Sequence, residues 1–75
     1  MTQTAHDTEL EITLNGEPRR IAGPATLASL LATLGLDPRA VVVELNRAIV
    51  RRPRLAETPL ASGDSVELVH FVGGG

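Results

Sequence analysis

The chain has 75 residues, enough for one small domain near the lower limit for a core that folds without staples. It has no cysteine, two histidines, one phenylalanine, no other aromatic and a net charge of −2, which excludes disulfides, thiolate metal sites, basic nucleic-acid faces and base-stacking platforms. No apolar run approaches a membrane span and the N-terminus lacks the charged and apolar regions of a secretory signal, so a soluble, cytoplasmic protein is expected.

Residues 1–8 are polar and aperiodic and read as a disordered lead-in. From Glu9 the pattern alternates, with Leu10, Ile12 and Leu14 on one side and Glu9, Glu11 and Thr13 on the other, predicting a half-buried strand. Asn15-Gly16 is a hairpin signal, because both central residues of the favoured turn need positive φ. Glu17 to Ala22 form the returning strand, and Pro18, which cannot donate to a ladder, suits an edge. Gly23-Pro24-Ala25 ends the hairpin. Thr26 then stands at an N-cap position, and Leu27, Leu30, Leu31 and Leu34 recur at helical spacing up to Gly35 in the C-terminal cap.

Asp37-Pro38 predicts a single helical turn. Val41 to Leu45 is a β-branched run interrupted by Glu44, and Ala48 to Val50 a short strand after an Asn46-Arg47 turn. Arg51 to Pro59, with two prolines and three arginines, reads as a loop with at most a 3-10 turn. Its arginines are those of a solvated loop or of a docking site for an acidic surface. Ser62-Gly63-Asp64 is a turn, and Ser65 to Phe71 the last strand. One long helix covers only one face of a sheet. The expected fold is therefore α+β, a β-grasp (ubiquitin-like) roll: a mixed sheet of four to five strands on one main helix, spanning residues 9–71. A βαβ unit is expected to link the second and third strands.

The chain closes with Val72-Gly73-Gly74-Gly75, read as a flexible tail at 72–75. Glycine weakens strands, and its merit here is thinness: without Cβ atoms a backbone can thread a channel closed to side chains. The alternative is an ordinary frayed terminus. On the last strand Val66 and Leu68 continue the inward face, so Val69 and Phe71 point to the uncovered face. Phe71 is expected to anchor a partner, since aromatic anchors are enriched in binding hot spots. The competing reading folds it back to finish the core. His70 is in phase with the inward set and reads as a rim histidine. No carboxylate pair or Ser/His set supports catalysis, so the chain is expected not to be an enzyme. All seven basic residues are arginine, so no side-chain amine can accept an isopeptide bond.

Residues 9–75 resemble the ThiS family of thiamine-biosynthesis sulfur carriers. The resemblance is carried by Leu14-Asn15-Gly16-Glu17-Pro18, Thr26-Leu27-Ala28-Ser29-Leu30-Leu31, Val43-Glu44-Leu45-Asn46, Glu57-Thr58-Pro59-Leu60, Ser62-Gly63-Asp64 and the tail from Val69. It departs after the fourth strand. Where the family usually has Val-Pro-Arg and then Trp, this chain reads Val50-Arg51-Arg52-Pro53-Arg54-Leu55, with Leu55 left to plug a core edge.

The resemblance implies a protein co-substrate that binds no cofactor. A ThiF/MoeB-like adenylating enzyme would use ATP and Mg²⁺ to activate Gly75, with Gly73 and Gly74 threading its channel and Val69, Phe71 and Val72 contacting it. A persulfide donor would then supply sulfur to form a thiocarboxylate, which passes to the thiazole synthase ThiG. The free carrier is expected to be a monomer. The open alternatives are a carrier for another route, like the small subunit of molybdopterin synthase, and a plain β-grasp binding module.

Overall fold

A computed structural model describes residues 9–71. Five strands form one mixed sheet: β1 (Glu9–Leu14), β2 (Glu17–Ala22), β3 (Val41–Leu45), β4 (Ala48–Val50) and β5 (Ser65–His70), in the order β2-β1-β5-β3-β4. One main helix, α1 (Leu27–Leu34), follows β2, and a 3-10 turn at Pro38–Ala40 leads into β3. This is the β-grasp arrangement. β2 and β3 are separated by β1 and β5, so the helix-containing connection crosses over two intervening strands rather than joining neighbours.

Local chemistry explains each element. Asn15 and Gly16 both hold positive φ, 50° and 85°, as the tight β1–β2 turn requires. Pro18 sits opposite Thr13 on the edge strand β2, where a missing N–H costs no interior ladder bond. Thr26 caps α1 by accepting the Ser29 N–H through Oγ1 at 3.1 Å, and Ser29 Oγ reciprocates by accepting the Thr26 N–H at 2.9 Å. Gly35, at φ 74°, closes the helix in the left-handed conformation. Asp37 caps the 3-10 turn by accepting from the Arg39 N–H at 2.9 Å. The same arginine's side-chain hydrogen bond holds the Asp37 carboxyl below the usual carboxylate range.

The core lies between α1 and one sheet face: Leu27, Leu30 and Leu31 pack with Ile12, Val41, Val43 and Val66. Leu34, expected on the same stripe, is only half-buried, because the helix ends there. The Arg51–Pro59 segment is more regular than a loop. Arg52–Leu55 forms a short helix, α2, with Pro53 in its first turn, where the missing N–H is tolerated, and it buries Leu55 against the core. Beyond α2 the chain returns past the N-terminal end of α1. The Leu27 N–H donates to the Thr58 carbonyl at 3.0 Å and the Leu60 N–H to the Ala25 carbonyl at 2.9 Å.

Candidate functional site

β5 lies at the centre of the sheet, parallel to β1 and antiparallel to β3. Two asparagines at turn positions hold it in place. Asn15, just past β1, accepts the Leu68 N–H through Oδ1 at 2.8 Å and donates its own N–H to the Val66 carbonyl at 2.9 Å. Asn46, past β3, accepts the Ser65 N–H at 2.9 Å and donates through Nδ2 to Asp64 at 3.1 Å. Asp64 accepts the Ala61 N–H with its other oxygen. Both side chains prolong a backbone ladder where a strand has already turned away. Asn-Gly, Leu-Asn and Ser-Gly-Asp are therefore structural signatures, and their product is a fixed path for β5.

That path ends at Phe71, whose N–H donates to the Ala40 carbonyl at 2.9 Å. Val69 and Phe71 project from the sheet face that α1 leaves uncovered, with exposures of 53% and 63%. Phe71 is thus not folded back into the core. Val42 lies opposite Val69, and Ile49, 63% exposed on the edge strand β4, lies opposite Glu44. A shallow groove of about 480 Å³ runs along the β3–β4 edge toward α2, lined by Val41, Val43 and Leu55 of the core as well as by Val42, Ile49, Arg51 and Phe71. Exposed apolar side chains grouped this way mark interaction surfaces more often than chance exposure does. Val72, Gly73, Gly74 and Gly75 lie outside the described residues.

Other expected features fall elsewhere. His70 is opposite Val41 and exposed at the rim. Arg51, Arg52 and Arg54 are all exposed around α2, and Arg51 borders the groove. Among the described residues no group of three His, Asp or Glu gathers to hold a metal, and no helix is long and apolar enough to cross a membrane. The sequence alone does not mark Val42, Ile49 and Glu44 as site residues. Parity along β3 does put Val42 and Glu44 outward, but which neighbours they meet depends on pairing that no local pattern encodes.

The model of the ThiS family matches residues 12–75. A segment of the thiazole synthase of Magnetococcus marinus is 44% identical over 66 residues, covering 88% of this chain and 20% of that protein. This chain thus spans about a fifth of the thiazole synthase's length. The sulfur carrier protein ThiS of Bacillus subtilis is 44% identical over 50 residues, covering 67% of this chain and 76% of that protein. The crystal structure of a thiamine biosynthesis protein (ThiS) from Geobacter metallireducens superposes with a TM-score of 0.76 at 33% identity, covering 88% of this chain and all of that one.

Proposed function

The chain belongs to the ThiS family, and from that premise we propose that it is a sulfur carrier in thiamine biosynthesis whose Gly75 carboxylate is adenylated and then converted to a thiocarboxylate. The carrying observation is the family match, whose span of residues 12–75 includes Gly73-Gly74-Gly75. The exposed Val69 and Phe71 support it, because they stand on the open face of the sheet and close to those glycines in sequence.

The chemistry follows from the weakness of a carboxylate as an electrophile. Its charge is delocalised, and oxide is a poor leaving group. A ThiF/MoeB-like enzyme would direct a Gly75 carboxylate oxygen onto the α-phosphorus of ATP, forming an acyl–phosphate bond and releasing pyrophosphate, with Mg²⁺ neutralising phosphate charge. A persulfide sulfur then attacks the acyl carbon and displaces AMP. Cleavage of the resulting S–S bond by a second thiol releases the thiocarboxylate and leaves a disulfide on the donor. The bare backbone of Gly73 and Gly74 lets the tail reach the nucleotide. Ordering it takes on the order of 1–2 kcal/mol per residue, which contacts made by Val69, Phe71 and Val72 would offset.

ThiG is the proposed acceptor. The 44% identical segment belongs to a protein that is itself a thiazole synthase, so carrier-like sequence and that activity share one polypeptide there. Intact-mass spectrometry of the chain incubated with ATP, Mg²⁺, its adenylating enzyme and a persulfide donor tests the reading. A gain of roughly 16 Da, oxygen replaced by sulfur with the backbone and side chains otherwise unchanged, should localise to Gly75. An unmodified chain, or sulfur elsewhere, would overturn it.

A further inference from the structure

The open face carries an electrostatic feature beyond its apolar patch. In the β3–β5 ladder Glu44 stands directly opposite Glu67, two pairs along from Val42 and Val69 and next to them on the same face. Both carboxylates project from the uncovered face, since their strand neighbours Val43 and Val66 are buried beneath α1. Directly opposed side chains in an antiparallel ladder have Cβ atoms about 4.5–5.5 Å apart, and like charges so placed destabilise the sheet. On the β1–β2 half of the same face Arg20 is shared by both acids, meeting Glu11 at 3.0 Å and Glu9 at 3.9 Å. Asp37 is likewise paired, with Arg39. Among the described residues Glu44 and Glu67 make no ion pair, although Arg51 lies two residues along the chain from Ile49, which faces Glu44.

Among the described residues the ion pairs on this face are those of Arg20 alone, so the two acids beside the apolar patch are left uncompensated. We infer that Glu44 and Glu67 together receive a cationic side chain, best an arginine, from the adenylating enzyme that takes the tail, while Phe71, Val69, Val42 and Ile49 fill an apolar recess next to it. Two carboxylates side by side offer the paired acceptors that a planar guanidinium matches. Desolvating both acids without a cation would be strongly unfavourable, so an uncharged partner face is disfavoured. This assignment rests on the carrier reading above and adds to it the chemistry of the docking partner.

The test exploits opposite signs. Glu67→Gln removes a repulsion in the free chain and a pairing in the complex. Its Tm should rise by about 1–4 °C, while KM for the carrier in carrier-dependent ATP–pyrophosphate exchange should rise about 10-fold with kcat unchanged. The Glu44→Gln/Glu67→Gln double variant should also lose most of the salt dependence that KM shows in the wild type. Wild-type turnover with an unchanged KM in the double variant would overturn this inference and leave the carrier reading standing. A Tm that falls together with affinity would overturn it too, by making the pair structural. So would a wild-type dimer in sedimentation that the double variant dissolves, since the face would then belong to a second copy. If the wild type supports no exchange at all, the carrier reading fails first and this assignment with it.

Discussion

Two residues separate what the fold needs from what docking needs. Phe71 is the only aromatic side chain in the protein, yet it is 63% exposed and holds the sheet only through its backbone N–H. A core aromatic replaced by alanine costs about 3–5 kcal/mol, but an exposed one has little packing to lose. Phe71→Ala should therefore leave Tm within about 2 °C of the wild type, since a change of that size is well under 1 kcal/mol for so small a domain. It should raise KM for adenylation at least about 10-fold if Phe71 is a binding hot spot. A large stability loss with unchanged KM would return Phe71 to the core.

Arg47 poses the converse case. It holds φ 74° in the β3–β4 turn beside Asn46 at 51°, a conformation that costs a residue with a Cβ about 1–2 kcal/mol. Replacing it with glycine removes that strain but adds conformational freedom to the unfolded chain. The net expectation for Arg47→Gly is a gain of roughly 0.5–1 kcal/mol, read as a higher denaturant midpoint at constant m-value. No gain would mean the turn accommodates arginine without strain.

At the scale of elements, α1 is short and held at both ends. The reciprocal Thr26–Ser29 cap and Gly35 mark its limits, and its leucines supply the helix side of the core. Leu27, Leu30 and Leu31 are buried, whereas Leu34 is half-buried where the helix stops. Leu31→Ala should cost about 2–5 kcal/mol and Leu34→Ala distinctly less, because the residual cavity sets the penalty. Equal losses in urea titrations would show that the stripe continues undiminished to the helix end. α2 shows why propensity misleads over short stretches. Two prolines and three arginines within nine residues suggest irregular chain, but Pro53 falls in a first turn, where its fixed φ favours a helix, and burial of Leu55 outweighs the rest.

For the whole molecule, the proposed reaction makes the folded body a handle and the last glycines the substrate. Variants of the tail should then separate the two roles. Extending the chain by one residue past Gly75 should abolish thiocarboxylate formation, because the reacting carboxylate is displaced. Gly74→Val should act similarly through a stiff β-branched side chain where bare backbone is required. Neither should alter the denaturant midpoint, since the described core is built from residues up to Val66. Conversion of either variant at the wild-type rate would mean that the channel does not read the tail's thinness.

Much of this was legible along the chain, wherever a feature depends on neighbours in sequence. Asn15-Gly16 announces its turn because two adjacent residues need positive φ, Thr26 announces a cap because its hydroxyl reaches only three residues on, and the leucine spacing of α1 is a local period. The outward direction of Val69 and Phe71 followed from simple alternation along one strand. Contacts between distant segments were not legible in this way. The insertion of β5 between β1 and β3 joins segments from opposite ends of the chain, and the clips from Asn15 to Leu68 and from Asn46 to Ser65 follow only once it is there. The same register sets Glu44 against Glu67. Strand periodicity tells which side a residue faces, but not which residue it will face, because pairing is chosen by burial of the whole sheet against α1. The chemistry proposed at the carboxyl end rests on the sequence alone, whereas the charged surface proposed to guide its partner could be seen only after the strands were placed side by side.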